Sequence, residues 1–311
     1  MTNEAVQKTA ITGFAITFIG AILFSTKAIA VKVAFRNTSM NGLTLLTLRL
    51  LFSLPFYVIA AWIAASKKNS VSLTVRQWIY IILLGLFGYY LSSLFDFIGL
   101  QYISAGLERL ILFLYPSFAV LINAWVFKQP VNRTQKIALI LTYAGILLAY
   151  AGEFRIDTGN SNFIWGSFLI FLCAVTYAIY IAGSGSMIPQ VGASRFTAYA
   201  MLAATAGVFI HYAIQENAQL FQLSSVHWVY GVYLAVFATV LPTFMLSFGM
   251  KHIGTNNVAI ISAIGPVSTI LQAHFILDEP LFVEQLLGTT LVIAGILLTA
   301  GKRTKISGGE Y

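Results

Sequence analysis

Residues 99–148 read GLQYISAGLERLILFLYPSFAVLINAWVFKQPVNRTQKIALILTYAGILL, and residues 249–298 read GMKHIGTNNVAIISAIGPVSTILQAHFILDEPLFVEQLLGTTLVIAGILL. A shift of 150 residues superposes the two without a gap, and about a quarter of the fifty positions are identical. Shared Leu and Ile alone are what an apolar composition produces by accident. Pro116 in register with Pro266, Pro130 with Pro280, and the run AGILL at 144–148 with AGILL at 294–298 are not, so the chain is read as an internal duplication.

The rest of the sequence says what is duplicated. Hydrophobic residues make up 59% of the 311 and charged ones 9%, with a mean hydropathy of +0.84. A soluble domain is about half apolar and about a quarter charged, so this is an integral membrane protein. A helix needs about 20 apolar residues to cross the hydrocarbon core. Ten such runs are expected, approximately over residues 11–34, 43–65, 78–100, 105–127, 135–151, 163–183, 196–213, 228–250, 256–277 and 282–300. The breaks between them, such as RNTSMNG, SKKNSVSLTVR, EFRIDTGNSN, IPQVGASR and LDEP, carry turn formers and charges. None is long enough for a soluble domain, and the first run, too long for a secretory leader, reads as a permanent helix.

Five helices per half is an odd number, so the second half must enter the membrane inverted. The expected fold is all-α, ten transmembrane helices as two inverted five-helix repeats, residues 1–152 and 153–311. The loops agree: KQPVNRTQK is basic where its counterpart LDEPLFVEQ is acidic, as the positive-inside rule requires of equivalent loops on opposite sides. With the N-terminus inside, the inside segments hold twelve basic residues, Lys8, Lys67, Lys68, Arg76, Lys128, Arg133, Lys136, Arg195, Lys251, Lys302, Arg303 and Lys305. The outside ones hold three, Lys32, Arg36 and Arg155. Both termini are therefore expected in the cytoplasm. Inverted repeats place a pseudo-two-fold axis in the membrane plane and suit alternating access to a central site.

Five ionisable residues fall within or at the rims of the spans: Lys27, Arg49, Asp96, Glu108 and Arg109. On insertion scales a charge near a helix centre costs roughly 2.5–3.5 kcal/mol, which makes each a functional candidate. All five fall in the same half of the membrane and in the same repeat. Two carboxylates cannot neutralise three cations, so one positive charge is left to attract an anionic substrate group. Lys27, the deepest cation, is the expected receiver, with Arg49 beside it and Asp96, Glu108 and Arg109 as proton-titrating groups or ion-pair partners. The plainer reading stands alongside: Glu108 and Arg109 as interfacial residues, Arg49 snorkelling to the surface, and Lys27 with Asp96 as a pair that only holds helices together.

Tyr89, Ser92, Ser93 and Gly85 share or border the helical face of Asp96, and Tyr89 joins the substrate-binding candidates. The second repeat offers no intramembrane charge but a polar set from which Tyr177, Tyr180, Asn256 and Gln272 are the candidates. Aligning GFAITFIGAILFSTK with GSFLIFLCAVTYAIY puts Tyr180 opposite Lys27. Pro116 and Pro266 are the hinge candidates, since proline frees a backbone carbonyl within a span. His274 is near a span end, where a lone histidine is more often structural than a pH sensor.

The ten-helix pattern, the duplicated terminal element ending in AGILL, FSTKAIAVK and LTLLTLRLLFSLPFY resemble the EamA family of the drug/metabolite transporter superfamily, over nearly the whole chain. The resemblance implies a bacterial inner-membrane carrier, usually an exporter of small metabolites such as amino acids or their derivatives, often driven by protons. Its partners are then a small-molecule substrate, protons and the lipid bilayer. No cofactor, metal or nucleic acid is expected: Cys173 stands alone, the four histidines are scattered, and basic residues lie singly or in pairs beside spans. A passive channel and a membrane-embedded enzyme are the alternatives. No GxSxG, HExxH, CxxC or Walker pattern supports the enzyme.

Overall fold

The computed structural model describes residues 3–66, 72–126, 128, 130–156, 162–215 and 219–300. They are helical almost throughout. Among the described residues, nine helices are long and apolar enough to cross a membrane: α1 (Asn3–Asn37), α2 (Gly42–Ala65), α3 (Val75–Gly99), α4 (Ala105–Val126), α5 (Arg133–Ile156), α6 (Phe163–Val191), α7 (Ala193–Gln215), α8 (Ser225–Met250) and α9 (Ile260–Leu277). A tenth apolar helix, α10 (Val283–Ala300), has 18 residues and so spans about 27 Å at 1.5 Å per residue. The protein is thus a multi-pass membrane protein. Its lipid-facing surface is apolar, with Trp62, Trp125 and Trp165 among the exposed residues near helix ends.

Several boundaries depart from the sequence reading for local reasons. The expected break IPQVGASR shrinks to Gly192, which lies between α6 and α7 at φ 84; glycine adopts this left-handed backbone without a Cβ penalty, so one residue reverses the chain. EFRIDTGNSN is helical at its start, which carries Glu153 into the last turns of α5. Helix continues from Leu241 through Ser262, where a loop was expected after Met250. The segment nevertheless doubles back. A Cβ on Gly249 would lie 3.1 Å from Val258 Cγ2, whereas nine residues of straight helix separate two positions by about 13 Å.

Irregular turns recur at one spacing. α3 widens into a π-turn at Leu86–Leu91, and α8 does so at Val236–Val240. α4 breaks at Phe113 and Leu114 and resumes with Pro116 in its next turn; the α9 region breaks at Ala263 and Ile264 and resumes with Pro266. Proline is tolerated there because first-turn N–H groups have no helical acceptor. Lys128 and Asp278 both have positive φ, 52° and 59°.

The helices pack as α5 along α10, α2 against α7 and α8, α1 against α8 and α9, α3 against α6 and α7, and α4 against α6. Lipid tails are as apolar as leucine, so close contact through small residues holds such helices together. At the α5/α10 crossing, Gly145 faces the carbonyl of Gly288, with room of only 2.5 Å for a Cβ. Gly295 faces the carbonyl of Ala138 at 2.8 Å by the same measure. Gly145→Val is expected to destabilise the protein by about 1–3 kcal/mol through overpacking, read as a lower unfolding midpoint in detergent, whereas the same substitution at Gly185, which borders open space, leaves packing intact.

Candidate functional site

Four helices bring charge to one depth. α1 supplies Lys27. α2 starts at the Asn41 cap, whose side chain accepts from Thr44 N at 2.8 Å, and two turns later presents Arg49. Asp96 sits in the last turn of α3, and α4 begins at the Ser104 cap, which accepts from Leu107 N at 3.0 Å, so that Glu108 falls in its first turn where the helix dipole favours an acid. Arg109 follows.

Lys27 Nζ donates to Asp96 Oδ2 at 2.5 Å and lies 3.7 Å from Glu108 Oε1. Arg49 is a further cationic neighbour of Asp96, and Arg109 of Glu108. The charges therefore alternate in the order Arg49, Asp96, Lys27, Glu108, Arg109. None is a surface residue: Asp96 is 1% exposed, Glu108 0%, and each arginine 6%. The expectations that Glu108 and Arg109 sit in the interface and that Arg49 snorkels outward are not met, because all three are enclosed by neighbouring helices.

The ends of the row differ from its middle. Arg49 Nη2 donates to Ser93 Oγ at 3.3 Å, and its guanidinium stands 5.2 Å from the centre of the Phe97 ring. Arg109 stands 5.2 Å from Phe113 and 5.9 Å from Phe24, under the backbone of Gly265. Such cation–π contacts offset part of the cost of a buried guanidinium. Among the described residues, both arginine Nε atoms, Asp96 Oδ1 and both Glu108 oxygens have no hydrogen-bond partner.

An aromatic wall drawn from both halves flanks the row. Tyr89 and Tyr180 share a hydrogen bond at 2.9 Å, Tyr177 stacks on Tyr180 at 5.9 Å, and Tyr115 meets Tyr177 edge-on at 4.9 Å. Tyr89 in turn lies near Arg49, Tyr177 near Arg109, and Cys173 near Lys27 and Asp96. The candidates Lys27, Arg49, Asp96, Glu108, Arg109, Tyr89, Tyr177 and Tyr180 are thus brought together. Gln272 donates to Ser268 Oγ one turn back on its own helix at 2.8 Å. The side chain of Asn256 lies outside the described residues. Pro116 follows the break in α4, five residues beyond Ile111, and Pro266 follows Gly265, which packs on Arg109 and accepts from Ser25 Oγ.

The rest of the polar set is satisfied locally. Thr239, Thr243, Ser247 and Asn257 bond carbonyls of their own helices, and Ser92 does likewise to Gly88. His211 pairs with Tyr90. Gly85 and Gly88 are points of close approach to Ala200 and Tyr180, so the face of Asp96 packs against α6 and α7. Sequence reasoning missed Tyr115, Cys173 and Phe97. Each lies in an apolar run that the composition makes ordinary, and no spacing marks it.

Comparison with known proteins fixes the family. Residues 11–151 and 164–301 each match the model of the EamA-like transporter family. The chain belongs to the EamA-like transporter family. It is 30% identical over 282 residues to the uncharacterized transporter YcbK of Bacillus subtilis (strain 168), covering 87% of this chain and 86% of that protein. It is 25% identical over 237 residues to the uncharacterized transporter YyaM of the same organism, with 76% of each covered. An uncharacterized transporter of Archaeoglobus fulgidus is 22% identical over 223 residues, 71% of this chain and 76% of that one. A crystal structure with 18% sequence identity superposes with a TM-score of 0.63 over 94% of this chain and 98% of that one, and so shares the fold. This EamA-like chain is a transporter of the multi-pass membrane class.

Removing one member of a buried charge set leaves its partners uncompensated, at a cost of about 3–5 kcal/mol. Lys27→Met is expected to lower stability by that amount in denaturant titrations of the detergent-solubilised protein. Adding Asp96→Asn should recover most of the loss, and a double-mutant cycle over the two positions measures the coupling.

Proposed function

We propose that this chain is a secondary active carrier that exports a small anionic or zwitterionic metabolite from a bacterial cytoplasm in exchange for protons, and that Arg49 receives the anionic group. The observation that carries this reading is the distribution of charge in the row. Lys27, the deepest cation and the receiver expected from sequence, is shared by two carboxylates. Arg49 makes its hydrogen bond to a neutral hydroxyl, beside the phenols of Tyr57 and Tyr89. Surplus positive charge therefore lies at the arginine ends of the row, and a planar guanidinium suits a carboxylate or phosphate group by geometry. The tyrosines supply neutral hydroxyls and ring faces for the remainder of the solute.

Ten spans in two inverted repeats, 1–152 and 153–311, are the architecture of this reading. The packing supports it. Exchanging the halves turns α1 on α8 into α6 on α3, α2 on α8 into α7 on α3, and α1 on α9 into α6 on α4, while α5 with α10 and α2 with α7 map onto themselves. The π-turns, the breaks before Pro116 and Pro266, and the left-handed Lys128 and Asp278 recur at the 150-residue spacing. In this reading Pro116 and Pro266 are hinges, both termini are cytoplasmic, and the Lys32 end of the bundle faces outward.

Proton coupling rests on the triad of Asp96, Lys27 and Glu108. Two carboxylates sharing one ammonium carry a net negative charge, and one added proton makes the set neutral, so proton binding changes what the arginines face. In proteoliposomes, an imposed pH gradient is expected to accelerate solute exchange, and Glu108→Gln to abolish that acceleration while leaving exchange intact. Equal flux with and without the gradient in the wild type removes the coupling.

The anion role of Arg49 has a separate test. A ligand that binds the folded state raises its stability, by about 2.7 kcal/mol at a hundred times its Kd, so a metabolite screen by thermal shift identifies the solute. Arg49→Gln is expected to weaken that solute tenfold to about a hundredfold, the equivalent of a charged hydrogen bond of about 1.5–3 kcal/mol. Unchanged affinity in this variant reassigns the anion to Arg109 or Lys27.

A further inference from the structure

One end of the bundle is fastened across the two halves. Lys32 Nζ, on α1, donates to the carbonyl of Ile103 at 2.6 Å and lies 3.9 Å from Glu279 Oε1. Glu279 stands in the connection between α9 and α10, and its carboxylate caps α4: Oε1 accepts from Ala105 N at 2.9 Å and Oε2 from Gly106 N at 3.3 Å. Here an anion meets two N–H groups at a helix N-terminus, a charge-assisted arrangement that the dipole reinforces. His274 Nδ1 pairs with the Glu279 carbonyl at 2.9 Å, Glu153 Oε1 accepts from Ser104 N at 3.3 Å, and Arg36 meets Asp278 at 3.6 Å. The last pair is largely exposed and contributes little. Lys32, Arg36, Glu153, Asp278 and Glu279 line a cavity of about 520 Å³.

At the equivalent positions of the other end the sequence offers no such set of charges, and a described contact between the halves there is neutral, Gln77 Nε2 donating to Gln190 Oε1 at 3.2 Å. By the register that sets Tyr180 opposite Lys27, the counterpart of Lys32 is Gly185 and that of Arg36 is Pro189. By the 150-residue register, Asp278 answers to Lys128 and Glu279 to Gln129. Two bases and two acids at the Lys32 end thus correspond to a glycine, a proline, a lysine and a glutamine, with no pair of opposite charge among them. Open space surrounds Gly185, where Lys32 is hemmed in by Ile103 and Glu279.

We infer that Lys32, Glu279 and the N-terminus of α4 form the outer gate of the transporter, and that their charges hold it shut at rest. This rests on the carrier reading above, in which the two halves exchange conformations and the Lys32 end faces outward. A ligand can shift such an equilibrium only by its differential affinity for the two states. The gate contacts exist in the outward-closed state alone and so bias the resting population towards it. Weakening them raises the outward-open population without touching the ionic row, since Lys32 and Glu279 are not among the five charges.

The test is a distance measurement. Spin labels at Gln101→Cys, which lines the cavity from the first half, and Leu281→Cys, between the lining residues Pro280 and Phe282 of the second, are both at exposed positions and report the separation of the halves by pulsed electron resonance in nanodiscs. The native thiol, Cys173, is buried. A single short distance is expected for the otherwise unchanged protein. Lys32→Met and Glu279→Gln are each expected to raise the population at longer distance at least threefold, and Lys32→Arg, which keeps a donor and a charge, to leave it short. Glu279 also caps α4, so Lys32→Met decides the matter should Glu279→Gln fail to fold. Unchanged distances in folded Lys32→Met overturn the gate. Opening without any solute flux in proteoliposomes would leave the gate standing and remove the carrier reading; flux with distances that never lengthen would do the reverse.

Discussion

The structure depends on placing five charges inside the helical bundle, four of them buried and the Lys27 side chain 12% exposed. Each of Lys27, Arg49, Asp96, Glu108 and Arg109 is costly in hydrocarbon, and each is enclosed by protein. Only a bundle that sets α1, α2, α3 and α4 at fixed heights relative to one another lets the charges alternate in sign. The caps do this work. Asn41 fixes where α2 starts, and with it the depth of Arg49; Ser104 fixes where α4 starts, and with it Glu108 and Arg109. A shift of one residue at either cap rotates its helix by about 100° and turns a buried charge towards lipid. The apolar composition of the spans supplies the bundle, but the ionic row selects one arrangement of it.

Much of the fold is legible because the membrane leaves few choices. Without water, backbone polar groups must be satisfied inside helices or closed barrels, so apolar runs of the observed length translate directly into spans. The duplication carries finer detail than identity alone suggests. Pro116 and Pro266 are matched in sequence, and the backbone breaks just ahead of both; Lys128 and Asp278 differ in charge yet share a left-handed backbone two residues before a proline. The π-turns at 86–91 and 236–240 share the spacing although LFGYYL and VFATV have almost no residues in common. Backbone irregularity matches at these points where the side chains do not.

What the sequence hid is mostly long-range. Glu279 caps a helix that begins 174 residues earlier, and Tyr180 finds its partner 91 residues away on another helix; no local pattern announces either. The helix joining α8 to α9 was hidden for the opposite reason. KHIGTNN has the glycine and asparagines of a loop, yet helical hydrogen bonding persists while the path reverses. Depth was readable for the five charges, but partnership was not. Three cations and two acids at one level permit several pairings, and which cation is left over depends on side-chain reach and rotation about each helix axis.

That leftover charge is where structure and chemistry meet. Were the row an ion-pair lock and nothing more, two cations would suffice for two carboxylates, and a third buried cation would add desolvation cost without a partner. Both terminal arginines stand instead against aromatic rings, and Arg49 donates to the Ser93 hydroxyl, contacts that a stronger anionic partner can replace at little loss. Tyrosines from α6 close the same space from the other half, which joins the two bundles through groups that bond a neutral hydroxyl or a charged oxygen equally well. Under the proposed function, a site of this composition persists when empty of anion and still favours one on arrival, the condition a carrier must satisfy to load and release its solute.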